Sequence, residues 1–129
     1  MQRDILLDTN FLMVPGLFGV DVFAEIERIC DFPYRLCVLD KSSLELDKII
    51  REQGGKDKAA ATLAKQLILR NQVFVIPTIC EDHYVDDLLV RYDKNHLVAT
   101  NDLKLIARLK AQHIDVLRLR QKKIITLER

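Results

Sequence analysis

The sequence predicts an α/β fold, a three-layer α/β/α domain on a parallel sheet of about five strands in the order 3-2-1-4-5. Two patterns carry that expectation. Short apolar runs recur along the chain, each followed by a stretch with apolar residues at helical spacing, and this alternation builds βαβ units with right-handed crossovers. The runs are continuously apolar, as in strands covered on both faces. At 129 residues, the chain is expected to be a single domain, 1–129, large enough to bury one core without disulfides or a structural metal.

Taken in order, Ile5, Leu6 and Leu7 form the first strand, which stops at Asp8, Thr9 and Asn10. Pro15, Gly16 and Gly19 then read as a loop. Val22, Phe23, Ile26 and Ile29 recur at helical spacing. Leu36 to Leu39 give a second strand ending at Asp40. Ser42 and Glu45 fit a capping box ahead of Leu46, Ile49 and Ile50, and Gly54 and Gly55 stop that helix. Lys58 to Arg70, rich in Ala and Leu, makes a third helix. Val73 to Ile76 follow as the third strand, closed by Pro77. Val85, Leu88, Leu89 and Tyr92 define another helix by their spacing. The fourth strand, His96 to Ala99, ends at Thr100, Asn101 and Asp102, and Leu103, Ile106, Ala107 and Leu109 are expected to face the core from the next helix. Ile114, Val116 and Leu117 make the fifth strand. Ile124 to Leu127 is marginal strand material.

Composition narrows the function classes. Hydrophobic residues are 49% and charged residues 30% of the chain, the balance of an ordinary globular protein. No apolar run reaches membrane-spanning length, and the N-terminus lacks the pattern of a secretory signal, so a cytoplasmic protein is expected. Cys30, Cys37 and Cys80 lack CxxC spacing and read as buried, reduced thiols. His83, His96 and His113 lie far apart, which argues against zinc. Net charge of +1 decides nothing, because an acidic site and a basic rim can cancel.

The informative residues are acids. With the order above, the first and fourth strands are neighbours whose carboxyl ends flank the topological switch point, where ligands of open α/β sheets bind. Asp8 follows one and Asp102 the other. Glu45 opens the helix after the second strand, and Asp86 lies early in the helix before the fourth. Each acid alone has a local use, as a turn, a capping box, a solvated helix face or a first-turn acid; the fold nonetheless converges all four on one crevice. At 100° per residue Asp86 lies on the flank of its helix's buried face, whereas Asp87 lies nearly opposite and can meet Arg91. Clustered carboxylates repel by about 3 kcal/mol per pair at roughly 5 Å and a dielectric of about 20. A divalent cation removes that penalty, and an all-oxygen set favours Mg²⁺ or Mn²⁺. Such ions activate water and stabilise the leaving oxygen at a phosphodiester.

With ILLDTNFLM, SSLELDKI, YVDDLLV and LVATNDLKL in this order, nearly the whole chain resembles a PIN domain. It looks most like stand-alone archaeal PIN proteins related to the PIN nucleases of small-subunit rRNA processing. The resemblance implies a Mg²⁺- or Mn²⁺-dependent endoribonuclease in which Asp8, Glu45, Asp86 and Asp102 bind metal and position the attacking water. It places Asn10 and Thr100 beside them as polar support, with Asp87 as a second acid, and implies 5′-phosphate and 3′-hydroxyl products. Lys104, Arg108, Lys110, Arg118, Arg120, Lys122 and Lys123 are candidates for holding an RNA backbone. The competing use of such charges is to protect an edge strand from sheet-to-sheet pairing. The expected assembly is a homodimer acting on RNA, with an antitoxin or a ribosome-assembly factor as a further partner.

Three other readings share these features: a PIN-like module that binds RNA or a partner without cutting, the toxin of a toxin–antitoxin pair, and a phospho-acceptor signalling domain. Four convergent acids and the absence of a paired lysine switch argue against the last.

Overall fold

In a computed structural model of the chain, residues 2–78, 84–93 and 95–129 are described; Cys80 and His83 lie outside them. The elements run β1 (Arg3–Leu7), α1 (Thr9–Leu12), α2 (Val14–Phe18), α3 (Val22–Ile29), β2 (Tyr34–Leu39), α4 (Asp40–Glu52), α5 (Gly55–Arg70), β3 (Phe74–Ile76), α6 (Val85–Arg91), β4 (Leu97–Ala99), α7 (Leu103–Ala111), β5 (Asp115–Arg120) and β6 (Ile124–Glu128). The strands form one sheet in the order β3-β2-β1-β4-β5-β6. The first five pair in parallel, and β6 is antiparallel to β5.

Alternation along the strands divides the core into two layers. Ile5 and Leu7 of β1 pack with Val38, Leu46 and the small face of α5, Ala60, Ala61 and Ala64. Leu6 points the other way, into a layer with Cys37, Val98, Leu88 and Leu89 of α6, and Leu105, Ile106 and Leu109 of α7. Among the described residues, no helix is long and apolar enough to cross a membrane.

The marginal strand expected at Ile124 to Leu127 forms, as Ile124–Glu128, and folds back along β5 as a sixth strand. Several other local expectations are corrected. The stretch containing Pro15 and Gly16 is helical: Pro15 occupies the first turn of α2, where its missing N–H costs nothing, and Gly19 ends the helix in the left-handed conformation at φ 68°. Gly16 is required for packing, since a Cβ there would run into the Ala60 backbone and lie 2.7 Å from Ala60 Cβ. The capping box of Ser42 and Glu45 does not form. Helix α4 starts earlier, at Asp40, with Leu39 in the cap position and no side-chain cap, so Ser42 is buried inside the helix. Asp40 instead accepts hydrogen bonds from the Thr78 backbone N–H, at 2.8 Å, and from the Thr78 hydroxyl. On α7 the buried face is Leu105, Ile106 and Leu109; Leu103 is 65% exposed and Ala107 faces solvent.

Candidate active site

The carboxyl ends of β1, β2 and β4 lie side by side, because β1 pairs with β2 on one edge and β4 on the other. Each delivers an acid or its support to the same end of the sheet. Asp8 follows β1 directly, its backbone N–H donating to Ala99 O at 3.0 Å and so continuing the β1–β4 ladder by one residue. Asp8 is 6% exposed. Its Oδ1 accepts from Thr9 N at 2.9 Å and its Oδ2 from the Thr100 hydroxyl at 2.8 Å. The same Thr100 oxygen accepts from Asp102 N at 3.1 Å. One fully buried hydroxyl therefore couples the acid after β1 to the backbone of the acid after β4.

Glu45 reaches the cleft from the second turn of α4 and accepts from the Thr9 hydroxyl at 2.6 Å through Oε1. Asp102 caps α7, accepting from Lys104 N at 2.9 Å and Leu105 N at 3.3 Å through Oδ1. In these bonds Oε2 and Oδ2 are not used, which leaves acceptor capacity beside the cleft. Asp86 stands in the first turn of α6. A cleft of about 390 Å³ is lined by Asp8, Asn10, Glu45, Asp86 and Asp102, together with Thr9, Lys48, Ile49, Glu52, Gln53 and Val85. All four acids expected at the site thus border one space. Among the described residues, no three of His, Cys, Asp and Glu close into a ready-made ligand cage.

The acids act on one another. Burial is the largest cause of a rise in the Asp8 carboxyl to about 6; hydrogen bonds from Thr100 and Thr9 N oppose it, and the charges of Asp86 and Glu45 add to it. Asp86 is also raised, first by burial and then by Asp102, with Arg108 pulling the other way. A hard divalent cation fits this donor set: every acid is an oxygen donor, and a positive charge between them relieves the repulsion that raises Asp8 and Asp86.

The remaining expected residues separate from this group. Asp87 turns away and pairs with Arg108 at 2.8 Å, instead of serving as a second acid in the cleft lining. Lys110, Arg118 and Arg120 gather around Glu128, at 2.7, 3.8 and 3.0 Å. Lys122 lies over the Phe18 ring, 5.5 Å from its centroid. Lys104 is exposed in the first turn of α7. Sequence reasoning missed Thr9 as the link from the β1 end to Glu45, and missed Lys48, Ile49 and Glu52 as cleft lining. The signal was present in their spacing from Glu45, three, four and seven residues on, which puts them on one face of a helix.

The fold and this acidic cleft define a class of sheet-based domains with a polar site at the switch point. Among solved structures, one titled "Structure of the PIN domain endonuclease Utp24" superposes with a TM-score of 0.78 at 25% identity, covering 98% of this chain and 91% of that one. Ribonuclease VapC4 of Methanocaldococcus jannaschii is 34% identical over 124 residues, 92% of each chain. The family model described as "PIN like domain" matches residues 5–122. The chain belongs to the PIN-like domain family.

Proposed function

We propose that this protein is a ribonuclease that hydrolyses RNA phosphodiesters with Mg²⁺ or Mn²⁺ held by Asp8, Glu45, Asp86 and Asp102. The observation that carries the proposal is the convergence of four acids from separate parts of the chain on one cleft, with Asp8 and Asp86 both raised by burial and by neighbouring acids. Structural acids have no reason to meet in this way, whereas a hard cation requires it. The named activities of the two relatives, a ribonuclease and an endonuclease, agree with this chemistry. When bound, the ion supplies a water of lowered pKa and stabilises charge on the leaving oxygen.

The chain's own residues bind and orient. Thr9 N and Thr100 hold Asp8 from two sides, the Thr9 hydroxyl fixes Glu45, and capping of α7 fixes Asp102. These bonds set the acids before substrate arrives, which is the form in which electrostatic stabilisation costs least during reaction. Lys104, exposed two residues after Asp102 with its backbone N–H donating to that acid, would be a contact for the RNA backbone. Arg108 would reach a phosphate only by giving up Asp87, a small cost at the surface, whereas Arg118 and Arg120 would have to leave the largely buried Glu128, a larger one.

The test is hydrolysis of single-stranded RNA with Mn²⁺ by the wild type, Asp8→Asn and Asp102→Asn. Asn caps helices as well as Asp, so Asp102→Asn removes charge and keeps α7. Cleavage by the wild type and its loss in both variants is the expected result. Equal residual cleavage in all three would contradict it.

A further inference from the structure

The cleft continues past the four acids. A second hollow of about 430 Å³ opens beside it, lined by Lys41, Glu45, Tyr84, Val85 and Asp86, and it shares Glu45, Val85 and Asp86 with the first. Tyr84 is 84% exposed, more than any other large apolar side chain among the described residues. Lys41, Glu45 and Lys48 lie at i, i+4 and i+7 on α4 and so share one face, with a lysine about one turn to either side of Glu45. The two lysines are separated by a rise of ~10 Å along the helix. Lys48 meets Glu52 at 4.0 Å and in solvent, a pair weak enough to exchange for a phosphate.

We propose that Tyr84 and Lys48 hold the RNA in this groove beyond the acids, with one unpaired base stacked on the Tyr84 ring and a backbone phosphate against Lys48. The inference rests on the ribonuclease reading and deepens it by naming the side chains that hold the RNA outside the four acids. An exposed aromatic ring beside a phosphodiester site offers a flat face that any base can cover, and such stacking is tolerant of sequence. Bases in a duplex already lie against their neighbours and present no free face, so the ring selects unpaired RNA. Lys48 offsets the repulsion that the acids exert on a phosphate arriving beside Glu45.

The test measures binding of a single-stranded oligoribonucleotide carrying one 2-aminopurine, whose fluorescence falls on stacking, to the full chain made non-cleaving by Asp8→Asn. Adding Tyr84→Ala is expected to weaken binding about tenfold and abolish the quench, whereas Tyr84→Phe keeps both. An abasic site at the quenched position should cost the Tyr84 protein the same factor and cost the Tyr84→Ala protein nothing further. Leu69→Ala, at an equally exposed apolar residue near the end of α5, should leave binding unchanged. Unchanged binding in Tyr84→Ala, or abasic and Tyr84→Ala losses that add in full, would overturn the stacking site. Wild-type cleavage measured on the same RNA separates the two failures: cleavage without a Tyr84 effect sinks only this inference, and no cleavage sinks the reading beneath it.

Discussion

Asp8 is the residue on which the site turns, and its environment works against its charge. The carboxyl is raised from 3.8 to about 6, chiefly by burial, so between those values the folded protein holds a proton that the unfolded chain has released. Stability from this group is therefore fullest below pH 4, falls as pH rises towards 6, and stays low at neutral pH. Without metal, Asp8→Asn is expected to stabilise the protein at pH 7 by on the order of 1–3 kcal/mol while removing cleavage. Thermal melts at pH 7 and pH 4 check this: the gain should be present at the first and gone at the second. A variant less stable than wild type at pH 7 would contradict it. Thr100 joins Asp8 to the Asp102 backbone through a single hydroxyl. Thr100→Val, which keeps the shape and removes that oxygen, is expected to lower kcat about 10- to 100-fold. Thr100→Ser should retain most activity, and equal kcat in the two variants would show that the hydroxyl does not orient the acids.

At the scale of elements, the helices and strands that surround the site were legible because their apolar spacing is regular and their ends fall at acids or turns. What escaped was set by contacts that local pattern does not encode. Pro15 and Gly16 carry the composition of a loop, yet the pair sits in α2 because Gly16 lets that helix approach Ala60 on α5. Gly16→Ala is expected to destabilise the fold by roughly 1–3 kcal/mol through overpacking, read as a lower urea midpoint with unchanged slope; an unchanged midpoint would mean that α5 yields freely. The capping box failed for a related reason. Asp40 is held by Thr78, two residues beyond β3, a partner distant in sequence, and the helix begins there instead of after Ser42. The β5–β6 turn gave no warning either: Gln121 and Lys122 both adopt positive φ, 55° each, a conformation usually announced by Asn or Gly.

Across the whole molecule, the order of strands did most to make the site readable. Once β1 and β4 are neighbours, acids at positions 8 and 102 must face one crevice, and helices α4 and α6 bring Glu45 and Asp86 to its rim. The distribution of basic residues was less legible. A string of lysines and arginines near the C-terminus looks like a nucleic-acid track, but the antiparallel return of β6 places Glu128 among Lys110, Arg118 and Arg120. The lysines that border the acids come from α4 instead, spaced so widely in the sequence that only the helix face unites them.

The central claim is that these four carboxylates jointly take up one kind of hard cation. Calorimetric titration of the wild type with Mn²⁺, set beside Asp8→Asn, Glu45→Gln, Asp86→Asn, Asp102→Asn and Asp87→Asn, tests it most directly. Saturable uptake by the wild type and by Asp87→Asn, lost or strongly weakened in the other four, is the expected result. Undiminished uptake in Asp8→Asn, or none in the wild type, would contradict it.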